Sequence, residues 1–220
     1  MTRPQLAISG RLVSGHGVTR ATVVASGGKI VGIRGPSAKV EADVVLDYSE
    51  EFLFPGVVDT HVHFRDPGLT QKEDFASGTI AAAAGGVTSV VDMPNTQPWV
   101  DSSVVFREKL GEVRPKATVD FGFSGTASDE SQRVPELTRA GALSIEVFMA
   151  DVPEDRILDA DRAISKTLWA CSAQDQVLGA YCADQTTWAS TSEDARESGQ
   201  DGLPEYRKAK SAASEAKAIN

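Results

Sequence analysis

The chain contains three histidines, and two of them stand one residue apart: His61 and His63, in "FPGVVDTHVHFRDPG" at residues 54–68. Side chains two positions apart on a strand share a face, so a strand here turns both imidazoles the same way. Asp66-Pro67-Gly68 then breaks the strand, which puts the pair at its C-terminal end. Two imidazoles so placed can converge on one divalent cation, and zinc takes such nitrogen ligands. The plainer alternative is two partly buried polar histidines at a loop. Asp59 shares the face of His61 but lies deeper, where it is expected to support the strand or to stand behind a metal ligand rather than bind metal itself. Asp74 reads as the N-cap of a following helix.

The elements that position the pair follow a clear rhythm. Residues 5–49 read as short β-branched strands separated by Gly and Ser, a small antiparallel sheet. From residue 52, apolar strands alternate with helices. "FLFPGVVDTHVHF" is a strand, and "EDFASGTIAAAAGG" is a helix stopped at Gly85-Gly86. "VTSVVDM" is a strand, and "DSSVVFREKLGEV" is a helix with Asp101 as its candidate N-cap. The pattern continues with "ATVDFGFSG", the helix "ESQRVPELTRAG", "ALSIEVFMA", a long amphipathic helix "PEDRILDADRAISKTLWACSAQDQ", and "VLGAYCA". This alternation implies parallel strands with crossover helices, in either an open doubly wound sheet or a (β/α)8 barrel. The first strand is followed by no glycine-rich phosphate loop, which weakens a dinucleotide-binding version of the former. In the barrel the C-terminal strand ends carry the active site.

Composition narrows the function. The chain has 220 residues, 41% of them hydrophobic, enough for one domain with a core plus a small appendage. Its net charge of −9 argues against a nucleic-acid partner. No apolar run is long enough for a membrane span. "MTRPQLAISG" lacks the apolar core of a signal peptide. Two cysteines are too few for a disulfide framework. A cytoplasmic setting is expected.

The segment "PGVVDTHVHFRDPGLTQKEDFASGTIAAAAGGVTSVVDMPNTQP" resembles the cyclic amidohydrolases, that is dihydroorotases, allantoinases and hydantoinases. Its "HVHFRDPG", "KEDF" and "MPNT" are most similar to dihydroorotase. The resemblance implies a metal-dependent (β/α)8 TIM barrel with a small β-sandwich built from both chain ends. Residues 52–220 would hold only the first five β/α units and residues 1–51 part of the sandwich, so the chain is expected to cover the N-terminal half of the family's fold. The implied activity is hydrolysis of the ring amide of dihydroorotate to carbamoyl aspartate in pyrimidine biosynthesis, with one or two Zn2+ ions. His61 and His63 would bind metal, and Arg65 and Asn95 would hold the substrate carboxylate. The chemistry agrees, because Arg presents a planar fork of donors and Asn adds an amide donor. Alternatives remain: an ion pair of Arg65 with Asp66 or Glu73, and turn chemistry for Asn95 after Pro94. Glu146 stands where relatives carry a metal-bridging carboxylated lysine or a plain carboxylate. A carboxylate unpaired in an apolar strand is costly, so it implies a metal or cationic partner; the alternative is that it faces the helices.

The sequence departs from the family in two places. Tyr181 occupies the fifth-strand histidine position, which weakens a second metal site. The proton-shuttle aspartate of the eighth strand has no counterpart, so no catalytic residue is assigned. Three outcomes follow: a dihydroorotase-like hydrolase, an allantoinase- or hydantoinase-type enzyme (toward which "FMA" after Glu146 leans), or a truncated, non-catalytic relative. The expected partners are a small cyclic amide and a second copy or companion chain.

Overall fold

A computed structural model describes residues 3–127, 131–199 and 202–219. Two compact units divide the chain, residues 1–56 and 57–220. In the first unit, β1 (Leu6–Ser14), β2 (Gly17–Ser26), β3 (Lys29–Arg34) and β4 (Val44–Leu53) form one sheet in the order β3-β2-β1-β4. The sheet is mixed rather than wholly antiparallel as expected, because β4 runs parallel to β1. A two-residue hairpin can join only antiparallel strands; the longer stretch between β3 and β4 lets the chain cross over and add β4 on the far side of β1.

The second unit alternates strands and helices. Its strands are β5 (Val57–Val62), β6 (Val87–Asp92), β7 (Asp120–Phe123), β8 (Gly125–Thr126), β9 (Ser144–Phe148) and β10 (Val177–Tyr181). Its helices are α1 (Phe75–Ala84), α2 (Ser103–Val113), α3 (Val134–Ala140), α4 (Asp161–Ser172), α5 (Gln185–Glu197), α6 (Leu203–Ala209) and α7 (Ala212–Ile219). β5-β6-β7 and β8-β9-β10 are parallel three-stranded sheets. They meet at Ser124, where Leu143 N–H donates to Phe123 O at 2.9 Å. Spatial neighbours thus follow chain order, without the reversal that defines a doubly wound sheet.

Local chemistry sets the helix limits. Asp74 caps α1 by accepting Ser77 N–H at 2.8 Å, and Gly86, at φ +83°, turns the chain away after it. The cap of α2 is Ser102, not the expected Asp101; the Asp101 carboxylate is taken by Arg156 at 2.7 Å. Pro135 opens α3 and Gly141, at φ +109°, ends it; Glu130, the expected first residue of that helix, lies outside the described residues. The long helix expected over residues 153–176 is shorter. Ile157 bridges to Phe148, and buried Leu158 donates its N–H to Phe148 O at 2.8 Å. Extended pairing at 157–158 breaks the helical run, and α4 begins only at Asp161.

The core lies between sheet and helices. Phe75 at the start of α1 is fully buried, with edge-on contacts to Phe64, Phe121 and Phe123 at centroid distances of 5.0, 5.4 and 6.0 Å. Val90, Leu137 and Ile145 complete it. This packing anchors β5 and β6, whose C-terminal ends carry the residues of interest.

Candidate active site

His63 falls one residue beyond β5, yet it still faces with His61: their rings are 5.2 Å apart, edge to face. Asp59 supports the strand, accepting the His61 N–H at 3.1 Å. His63 Nδ1 lies 2.9 Å from Asn95 Oδ1. An amide oxygen only accepts, so Nδ1 carries the hydrogen and Nε2 keeps a lone pair. Burial holds the His63 imidazole below its ordinary 6.5, although the Asn95 bond opposes this. A neutral imidazole is the form that binds a metal.

Arg65 stands at φ +62°, in the left-handed region that side-chain-bearing residues seldom adopt. Its Nη1 donates to the Asn95 backbone oxygen at 3.2 Å. Asn95 therefore touches His63 with its side chain and Arg65 with its backbone, and its amide N–H2 remains as a donor. Arg65 forms no ion pair with Asp66 or Glu73 among the described residues; Asp66 is held by Lys116 instead.

Glu146, on β9, does not face the helices. Its carboxylate lies across Gly179, its register partner on β10, so closely that a Cβ there would collide with it. Ser144 Oγ donates to it at 2.9 Å. Burial pushes the Glu146 carboxyl up, against the pull of Ser144 and of His61. The interaction with His61 places the carboxylate within electrostatic reach of that ring.

His61, His63, Arg65, Asn95, Glu146 and Tyr181 all line one open cavity of about 1170 Å³. The donors suit zinc in kind, two imidazole nitrogens and a carboxylate oxygen. They are not gathered into a ready cage: among the described residues no three His, Cys, Asp or Glu side chains stand close enough to hold a metal ion. Tyr181 does not fit as a ligand. Burial raises its phenol above 10, and the Lys210 ammonium covers its ring at 4.4 Å.

The sequence reading did not single out Lys72, Trp99, Tyr206 or Lys210, which also line the cavity. Lys72 had a signal, since it opens "KEDF". Tyr206 and Lys210 come from a polar stretch whose pattern gives only helical tendency.

A parallel α/β unit with a histidine pair at its first strand end is the arrangement of a cyclic amidohydrolase, and the comparisons agree. L-hydantoinase (dihydropyrimidinase) from Arthrobacter aurescens matches with a TM-score of 0.89 and 25% identity, over 98% of this chain and 49% of that one. A dihydroorotase of Methanosphaera stadtmanae is 37% identical over 151 residues, 69% of this chain and 33% of that protein. An allantoinase of Streptomyces avermitilis is 37% identical over 157 residues, 70% of this chain and 35% of that protein. The dihydro-orotase-like family model matches residues 50–200, and the chain belongs to that family. It spans about a third of the length of these curated relatives. Among the described residues no helix is long and apolar enough to cross a membrane.

Proposed function

We propose that this chain forms part of a dihydroorotase-like cyclic amide hydrolase, which opens dihydroorotate to carbamoyl aspartate in pyrimidine biosynthesis in the cytoplasm. The observation that carries this reading is the convergence of His61, His63, Arg65, Asn95 and Glu146 on one cavity. His61, His63 and Glu146 would hold zinc. When bound, zinc supplies Lewis acidity, polarising a carbonyl oxygen and making water acidic enough to attack near neutral pH.

The chain's own residues do the positioning. The Asn95 bond to His63 Nδ1 fixes that ring's tautomer, as a partner behind a metal ligand does. The Arg65 guanidinium and the free Asn95 amide would take the substrate carboxylate, which orients the ring amide toward the histidine pair. Residues 1–51 would be part of a β-sandwich and residues 52–220 the first five β/α units of a barrel. Exposed apolar residues on the open side of the strands, Val58, Leu143 and Val177, suit burial by further strands. Those strands, with a proton shuttle, would come from outside residues 1–220 or from a companion chain.

An allantoinase- or hydantoinase-type activity is the second reading, favoured by the allantoinase and hydantoinase matches. A non-catalytic role is the third, favoured by Lys210 lying over Tyr181. Turnover of dihydroorotate, allantoin and hydantoin by the chain assembled with those strands, with added zinc, separates them. Dihydroorotate alone should be hydrolysed, with loss on Arg65→Met. Hydrolysis of allantoin or hydantoin instead, neither of which carries a carboxylate, would overturn the assignment.

A further inference from the structure

We propose that Asp92 and Asp66, each clamped by one lysine, Lys109 on α2 and Lys116 in the turn after it, are positioning residues that hold the two halves of the site separately: Asp92 the backbone at His63, and Asp66 the turn at Arg65. This rests on the reading of the pocket given under Proposed function.

Asp92 ends β6 and is fully buried. Its Oδ1 accepts the N–H of Phe64, the residue after His63, at 2.8 Å. Its Oδ2 takes Lys109 Nζ at 2.6 Å. Lys109 is 1% exposed and also reaches Met93 O at 3.4 Å. A carboxylate buried without a cation is costly, so Lys109 is what allows Asp92 to stand there as a charged tether.

Asp66, also fully buried, repeats the device one strand end away. Lys116 Nζ reaches both of its oxygens, at 3.1 and 3.0 Å. Asp66 Oδ2 also accepts the Phe75 N–H that begins α1, at 3.1 Å. The chain at Arg65, in its left-handed conformation, is thereby tied to α1 and to the turn after α2. Lys109 lies on α2 and Lys116 in the turn after it, and neither lines the cavity. Each acts through its aspartate.

Two separate tethers imply separable effects. The test uses the full chain, with zinc affinity from chelator competition and dihydroorotate affinity from equilibrium dialysis. Asp92→Leu/Lys109→Met removes both charges and the acceptor, so the fold survives while Phe64 is released. Asp92→Asn/Lys109→Met removes the charges but keeps an acceptor for Phe64. The Leu/Met pair is expected to weaken zinc by roughly 10–100-fold, and the Asn/Met pair to stay near the wild type. Asp66→Leu/Lys116→Met, which leaves no buried charge unpaired, should leave zinc affinity unchanged and weaken dihydroorotate by about tenfold, whereas Lys116→Arg should stay near the wild type. Equal losses of both ligands in every variant, identical behaviour of the two Asp92 double variants, or no change in any would overturn the proposal. A wild-type chain that takes up no zinc would instead sink the reading of the pocket, whatever the variants do.

Discussion

His63 Nδ1 and Asn95 Oδ1 stand 2.9 Å apart, and the same asparagine accepts from Arg65 through its backbone oxygen. One residue thus faces both the proposed metal side and the proposed carboxylate side. Asn95→Asp separates the two duties. A carboxylate accepts from the His63 N–H more strongly than an amide does, so zinc affinity should hold or rise. The same charge repels a substrate carboxylate and removes the amide donor. The Kd for dihydroorotate should rise at least about tenfold, the equivalent of one charge-assisted hydrogen bond. Equilibrium dialysis of dihydroorotate beside zinc titration checks this; parallel losses in both would refute it.

Gly179 leaves the space that the Glu146 carboxylate fills. Its backbone does not demand glycine, since it is not among the residues with positive φ. Gly179→Ala should therefore act through its methyl group, pushing Glu146 out of its place beside Ser144. A stability cost of about 1–3 kcal/mol, typical of overpacking, is expected in urea unfolding. Gly179→Ala/Glu146→Ala should recover most of it, because the second change removes the colliding group.

Burial raises the Glu146 carboxyl above an ordinary glutamate's 4.5. With the folded value above the unfolded one, the protonated form is favoured in the fold. Stability from this group is fully present below pH 4.5 and is lost as pH rises through the raised value. Without zinc, Glu146→Gln should be more stable than the wild type at pH 7, and the advantage should vanish near pH 4. The same variant should bind zinc more weakly. His63 runs the other way: its lowered value favours the neutral ring, a contribution present above pH 6.5 and lost as pH falls through its folded value. Urea unfolding of both proteins across this pH range is the measurement.

The chemistry at the first strand end was legible because its signals are local. A two-residue period fixes the facing of His61 and His63, and Asp-Pro-Gly fixes where the strand stops. The Asp74 cap and the Gly85-Gly86 stop were legible for the same reason. The parallel addition of β4 was not, since pairing across more than thirty residues leaves no mark on either strand. The long helix over 153–176 failed because Ile157 and Leu158 satisfy a helical period while pairing with the end of β9; tertiary contact outweighed local pattern. The clamps at Asp92 and Asp66 left half a signal. A carboxylate closing "VTSVVDM" calls for a cation, but nothing in the sequence says it comes from Lys109 on the next helix.

Lys210 follows α6 and turns its ammonium to three rings, Tyr181 at 4.4 Å, Tyr206 at 4.9 Å and Trp188 at 6.0 Å. Asp151, after β9, pairs with it at 3.6 Å. These contacts join the loop after β9 to the C-terminal helices across the end of β10. Burial pulls the ammonium down, but its interactions with Tyr181 and Tyr206 outweigh this and hold it above 10.5, so it stays charged at neutral pH. A cation over aromatic faces contributes about 0.5–2 kcal/mol, and the Asp151 pair adds little because it is partly exposed. Lys210→Met should thus destabilise the chain by about 1 kcal/mol, with little dependence on salt. Tyr181→Leu and Lys210→Met should be non-additive in a double-mutant cycle, with a coupling of about 0.5–1 kcal/mol. A coupling that disappears in high salt would mean that the carboxylate of Asp151, rather than the rings, holds Lys210 in place.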